Sequence, residues 1–355
     1  MQDEMTPRQR KKAFREGRDI DRLPTWAFPQ DYCSRLIGAT LREYMTDTKT
    51  FLKGVLTADA RWDFDVVEMM IPLGIDLGVE RSMPEDDYGV VTKTIDPTEK
   101  EIESWGVEDV RTNPAAQPGW ERLEALQDAL AAKDRAEISL MVSMPFTTAA
   151  MSLGTDKFLK KLIRDPDYVH LIVGKLADMI VQAVQAFKGL DVLYWCPDPV
   201  ASGSMLSLAQ YRTFAQPYTA KVLHALQEIA PHPDHVNLHM CGNTTRLWEA
   251  MADTGALLMN IDETIDFADA SRRVGDRVHL VGNVAPMTML IGSEQDVIED
   301  VKRSIRDAAG GKALPIPGFA DSPPLKSPVE NHDALHRALR EYAKWPLDEE
   351  RLTPA

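Results

Sequence analysis

Cysteine is scarce in this chain: 355 residues hold three, Cys33, Cys196 and Cys241. Thiols so few and so scattered build no disulfide framework, and with 16 methionines alongside they suit a reducing compartment, so the expected location is the cytoplasm. Positive charge is also in deficit. Lys and Arg number 40 against 55 Asp and Glu, a formal net charge of −15, which repels phosphate backbones and anionic lipid and argues against nucleic-acid or membrane partners. No run of about 18 apolar residues occurs, and Met1 to Arg18 lacks the apolar stretch of an export signal. There is no G-x-G-x-x-G turn of the kind that opens a dinucleotide-binding fold, no internal repeat and no low-complexity linker.

What the chain does contain is a series of eight short apolar runs bounded by turn residues: Leu23 to Pro29, Val66 to Ile71, Ile138 to Met144, Leu190 to Cys196, Val236 to Cys241, Leu257 to Ile261, Val278 to Val284 and Ala313 to Phe319. Helical patterns lie between the later ones: Asp156 to Phe187 (broken at Asp165-Pro166), Ser207 to Ile229, Thr244 to Asp253, Ala268 to Val274, Glu294 to Ala309 and Val329 to Lys344. Strand followed by helix, repeated, implies a parallel sheet with helical crossovers, and eight such units predict an α/β fold of the (β/α)₈ barrel type. Residues 1–355 read as one domain, with Gly78 to Gln117, rich in Asp, Glu and Pro, as an excursion over the barrel mouth.

In such a barrel the chemistry sits where the strands end. The fifth run ends in His239-Met240-Cys241-Gly242-Asn243, and alternate residues of a strand share a face, so the imidazole and the thiol point the same way. Both are good zinc ligands. Alone, the pair is weak evidence and reads more readily as a buried Cys beside a satisfied core His. The other strand ends add Asp198 after the fourth run, Asp262 and Glu263 after the sixth, Asn283 after the seventh and Asp321 after the eighth. Trp26, Phe146 and Trp195 offer rings for a flat ligand or for core packing. Asp266 reads as a helix N-cap, and His332 and His336, four apart on the last helix, read as surface residues.

The segment Asp198-Pro199-Val200-Ala201-Ser202, with Tyr211 and Phe214-Ala215-Gln216-Pro217-Tyr218 after it, resembles the central motif of the uroporphyrinogen decarboxylase superfamily. So do Val281-Gly282-Asn283-Val284-Ala285-Pro286 and the closing Pro328-Val329-Glu330-Asn331. The resemblance covers nearly the whole chain and implies the same barrel. Two branches of that superfamily differ in their chemistry. Its decarboxylases carry a Met-Arg-Gln-Ala-Gly-Arg segment after the first strand, whose arginines grip substrate carboxylates. Here the stretch reads Trp26-Ala27-Phe28-Pro29-Gln30-Asp31-Tyr32-Cys33-Ser34-Arg35, without that clamp. The cobalamin-dependent methyltransferases carry His-x-Cys-Gly after the fifth strand, as in His239-Met240-Cys241-Gly242.

The methyltransferase resemblance implies zinc held by His239 and Cys241, with a corrinoid carried on a partner protein, exchanging a methyl group with a methylated small molecule or a thiol. Relatives supply a further cysteine after the eighth strand. This chain has Ala320, so Asp321 is the expected metal ligand there, with Asp198 or Cys196 as further candidates. Asp198, Cys241 and Asp321 are the expected catalytic residues, and Trp26, Phe146 and Asn283 the expected cofactor contacts. Two readings stay open beside this one: a decarboxylase-like lyase acting on a carboxylated substrate, and a barrel that binds without catalysis. Whether the barrel forms a homo-oligomer is left open as well.

Overall fold

The computed structural model describes residues 3–86, 89–131, 134 and 136–353. A six-stranded, all-parallel sheet forms the centre, in the order β1 (Val66–Met69), β4 (Glu137–Met141), β5 (Leu193–Pro197), β6 (Val236–Met240), β7 (Leu258–Ile261) and β8 (His279–Val281). Four of them, β1, β4, β6 and β7, are buried almost throughout, as expected of strands covered on both faces. Outside this sheet β2 (Glu80–Ser82) and β3 (Val90–Lys93) make an exposed antiparallel hairpin in the Gly78 to Gln117 excursion, of which residues 87 and 88 lie outside the described residues.

Six regular strands is two fewer than the apolar runs predict. The missing two are present as extended segments joined by single bridges: Ile316 pairs with Val281, Phe319 with Val284, and Gly318 with Trp26, all parallel. Proline explains the difference, because Pro24, Pro29, Pro315 and Pro317 have no N–H to give and a ladder through them cannot be continuous. Closeness is provided instead by Gly318, where a Cβ would lie 1.9 Å from the Trp26 carbonyl oxygen. The eight positions of the barrel are therefore filled in the order expected.

Between the Trp26 segment and β1, no backbone hydrogen bond occurs among the described residues. That seam is held by side chains: Trp26 and Gln30 donate to Glu68 of β1 near the mouth, and one carboxylate gathers the contacts at the floor. Asp65, fully buried just before β1, accepts from the Thr25 amide (2.8 Å) and hydroxyl (2.9 Å), from Arg22 (2.6 Å) and from Arg10 (2.6 Å). Burial alone would raise its pKa, but the Arg22 and Arg10 charges hold it well below the usual carboxylate range. Arg10 comes from the helix Pro7–Arg15, started by a capping box at Thr6. The same helix pairs Lys11 (2.8 Å) and Arg15 (3.2 Å) with Glu137 at the start of β4, so its basic side closes the barrel floor.

Helices observed around the sheet follow the sequence pattern at Thr155–Arg164, Pro166–Val184, Phe267–Val274, Glu294–Ala308 and Val329–Tyr342. Two differ in form. The Ser207 to Ile229 stretch contains a π-helical turn, Tyr211–Ala215, ahead of Pro217, which cannot continue the normal bonding. Of Thr244 to Asp253 only Trp248–Ala252 is helical, because the side chains of Asn243 and Thr244 bond locally to the Thr245 amide and the Trp248 indole. Among the described residues one helix, Pro166–Phe187, is long and apolar enough to cross a membrane. Here its apolar side, including Val169, Ile172, Val173, Leu176 and Ile180, is buried in the core.

The expectation for His332 and His336 is overturned. Both are buried, His332 stacked on Tyr32 at 3.9 Å between centroids and His336 on Trp62 at 5.1 Å, because the last helix lays this side on an aromatic layer below Phe319. Among the described residues neither ring nitrogen of His332 has a hydrogen-bond partner.

Two outcomes follow from this layer and from the seam. Asp65→Asn leaves Arg10 and Arg22 short of a buried counter-charge and should cost about 3–5 kcal/mol in denaturant unfolding. Burial lowers the His332 pKa to about 3, against 6.5 for the free side chain. The unfolded chain therefore takes up a proton that the folded one refuses as pH falls from 6.5 toward 3, and stability present above 6.5 is lost across that window. His332→Phe should reduce that slope by about 1 kcal/mol per pH unit, measured as unfolding midpoints between pH 7 and pH 4.

Candidate metal centre

At the C-terminal end of β6 the alternation of the strand brings His239 and Cys241 to one face. His239 Nε2 lies 2.9 Å from Cys241 Sγ, Sγ lies 3.1 Å from Asp321 Oδ2, and His239 Nε2 lies 3.9 Å from Asp321 Oδ1. The imidazole is buried, whereas 40% of the Asp321 side chain is exposed, so the cluster opens to the barrel mouth. The chain can turn after Cys241 because Gly242 has φ +77° and no Cβ, which would meet Ser204 Oγ at 2.7 Å. Asp262 then accepts from the Gly242 amide at 2.6 Å and fixes the turn.

The neighbouring strand sets which nitrogen of His239 is free. Asn260, beside His239 in the β6–β7 register, donates its Nδ2 to the carbonyls of Val281 (3.0 Å) and Phe319 (3.1 Å). Its Oδ1 is thereby left facing His239 Nδ1 at 2.5 Å and can only accept. Nδ1 carries the proton, and the Nε2 lone pair points at Cys241 and Asp321. Burial lowers the His239 pKa, with Asp321 and Asn260 acting against the shift, so the ring is neutral. Burial, reinforced by Asp321, pushes the Cys241 thiol up, so without a cation it keeps its proton and donates it to Asp321.

This is the arrangement a divalent ion needs: three donors of N, S and O type gathered within 4.8 Å, an orienting partner behind the histidine and one side left open. A bound ion would reverse the burial effect and deprotonate the thiol. The residues fit zinc.

Beside the cluster stand Trp195, whose ring centroid is 5.0 Å from that of His239, and Trp26, whose indole N–H donates to Glu68. Glu68 is buried inside the barrel and also accepts from Gln30, while Gln30 in turn accepts from the Ser322 hydroxyl. Gln30 adopts φ +45°, unusual for a side chain with a Cβ, and this places its amide between Glu68 and Ser322. Burial raises Glu68 to about 7 against the Trp26 and Gln30 hydrogen bonds.

Several expected site residues are elsewhere. Asp198 does not join the cluster: it is fully buried and its carboxylate is taken by Thr147 (amide 3.1 Å, hydroxyl 2.7 Å) and Thr219 (2.9 Å), which makes it a clasp between helices. Cys196 is likewise buried in the core and supplies no ligand. Phe146 follows Pro145 at a helix start, and its ring turns into the core against Phe158, 5.0 Å away. Asn283 is buried, its Nδ2 donating to the Asp262 carbonyl at 3.1 Å, so it ties two loops together and presents no face to a cofactor. Asp266 caps its helix through the Asp269 amide. Arg35 is exposed and donates to the Leu325 carbonyl, so it does not stand in for the arginine clamp. Asn260 and Glu68 were missed in sequence, although each is a polar residue inside an apolar strand, which is a usable signal.

Residues 6–342 match the uroporphyrinogen decarboxylase (URO-D) family, and the chain belongs to that family. Over 96% of its length it is 26% identical to a methylcobamide:CoM methyltransferase of Methanosarcina barkeri, covering 99% of that protein. A uroporphyrinogen decarboxylase of Nostoc punctiforme is 29% identical, but over 52% of this chain and 53% of its own. In structure, a methyltransferase from Methanosarcina mazei superposes with a TM-score of 0.78 at 23% identity, over 96% of this chain and 99% of that one, which supports the barrel fold.

The Asn260 amide should matter to any ion held here. Asn260→Leu frees the imidazole to rotate and change tautomer, and zinc affinity should fall about 10–100-fold in a competitive chelator titration, with the fold retained.

Proposed function

We propose that the protein is a corrinoid-dependent methyltransferase that moves a methyl group between a methylated small molecule and the cobalt of a cobalamin carried by a partner protein. The observation that carries this reading is the His239–Cys241–Asp321 cluster, with its histidine tautomer fixed by Asn260, at the mouth of a barrel matched end to end by a methylcobamide:CoM methyltransferase. His239, Cys241 and Asp321 would hold zinc, which supplies Lewis acidity to a bound heteroatom.

The chain's own residues then do the rest. Asn260 keeps the imidazole lone pair outward, Asp262 fixes the turn that presents Cys241, and Trp26 and Trp195 wall the site. A carboxylate donor leaves the metal more Lewis acidic than a thiolate would, which favours loosening a methyl–oxygen bond over making a strong thiolate nucleophile. In that direction the methyl group would leave without its bonding electron pair, the reduced corrinoid as co-substrate would bring the pair for the new bond, and the departing oxygen would take a proton from water. Decarboxylation of a polycarboxylate is disfavoured because the cluster's surroundings are acidic and Arg35 lies outside. We place this activity in the cytoplasm and in a single barrel domain.

The test supplies zinc-loaded protein with cob(I)alamin and a panel of methyl ethers, and follows methylcobalamin by its absorbance. Formation of methylcobalamin, lost in Cys241→Ala and His239→Ala and after chelation, supports the reading. Turnover indifferent to both variants and to the chelator eliminates it.

A further inference from the structure

A cavity of about 430 Å³ adjoins the cluster and shares Gln30, Glu68 and Trp195 with its wall. Most of its lining is apolar and deformable: Met45, Met69, Met70, Met83 and Met141, with the rings of Tyr44, Phe51 and Trp195. Met83 and Ala115 reach it from the excursion. A site of this size and composition encloses a small organic molecule of the bulk of a substituted benzene.

Its polar groups are unequally distributed. Two carboxylates, Asp31 and Glu68, face the cavity, and Asp321 adds a third negative charge beyond Glu68. Among the described residues the Asp31 carboxylate has no hydrogen-bond or ion-pair partner, and burial raises its pKa to about 6. Among the described residues Arg122 is the one cation in the lining; it donates to the Met45 carbonyl at 2.8 Å and lies over the Phe51 ring, its Nε has no hydrogen-bond partner, and it forms no ion pair with either carboxylate. Carboxylates in an apolar setting without a counter-charge are costly, and the cost is relieved by a ligand that brings the charge with it.

We propose that this cavity binds the organic methyl partner and selects compounds that combine an apolar body with a protonated amine, the ammonium pairing with Asp31 and Glu68 and the body lying among the methionines and aromatic rings. An amine-bearing methyl ether satisfies both the cavity and the oxygen chemistry of the cluster. An anionic thiol or carboxylate is rejected by the same two groups. The inference rests on the methyltransferase reading for the role of the ligand, but its binding test requires neither cobalt nor zinc.

The experiment is a calorimetric titration of the whole protein at pH 8 with three compounds of one shape: 4-methoxyphenethylamine, 4-methoxyphenylethanol and 4-methoxyphenylacetate. The amine should bind about 10–100-fold more tightly than the alcohol, as for a hydrogen bond to a charged group, with the acid weakest. In Asp31→Asn and Glu68→Gln the preference for the amine should shrink while the alcohol binds as before. Equal binding of amine and alcohol, a preference for the acid, or an amine preference untouched by both variants overturns the proposal. The wild-type series stands even where a variant fails to fold. Selective amine binding without methylcobalamin formation would remove the methyltransferase reading and leave the cation selectivity in place.

Discussion

The buried carboxylate of Asp65 is the constraint on which the barrel depends. Every other junction between neighbouring positions has at least one backbone hydrogen bond, but among the described residues the Trp26 segment and β1 meet through side chains, Asp65 at the floor and Glu68 nearer the mouth. A lone buried anion would be far too costly, so two arginines accompany it, and they in turn hold Asp21 and Asp3. A protein with a large excess of acid thus concentrates part of its scarce positive charge beneath its own barrel. The arrangement fixes where the Trp26 segment runs, and with it the positions of Trp26 and Gln30 at the mouth.

The site above is organised by the same economy of partners. Asn260 is tied by two carbonyls and so determines the histidine tautomer, and Asp262 is tied by the Gly242 and Thr264 amides and so determines the turn. Neither touches a substrate position. Glu68 and Asp31 differ in kind, because burial raises both and, among the described residues, no cation pairs with either, although Trp26 and Gln30 donate to Glu68. Carboxyl groups on one barrel mouth are sorted by this difference into those that support and those that face a ligand.

Much of the architecture was legible in sequence because apolar runs and turn residues alternate with a regular rhythm, and the His239–Cys241 pair was legible because strand periodicity alone puts both on one face. Asp321 was found by its place after the last run. What failed did so for physical reasons. Asp198 sits at a strand end like Asp321, yet two threonines from separate helices enclose it, and such long-range partners leave no local trace. His332 and His336 carry a surface-like spacing on a helix with charged neighbours, but the aromatic layer that buries them comes from residues near Tyr32 and Trp62. The first helix is not anticipated in the sequence at all, where Met1 to Arg18 is notable only for its lack of an apolar stretch, and its Arg10 and Arg15 find their partners in Asp65 and Glu137, far along the chain.

The seam also has a consequence for how the chain is made. The Trp26 segment hydrogen-bonds to Pro317 and Phe319, and Leu23 and Asp21 bond to Ala343 and Trp345, so the first position of the barrel borrows its backbone partners from residues far later in the sequence. While the ribosome is still reading the middle of the message, the opening segment has Asp65 to hold but no neighbouring edge to lie on. Contacts between such distant parts of a chain form slowly. An emerging chain therefore presents an unfinished, open sheet until Pro317 to Trp345 have left the ribosome, and a nascent-chain chaperone would find its longest opportunity on this edge.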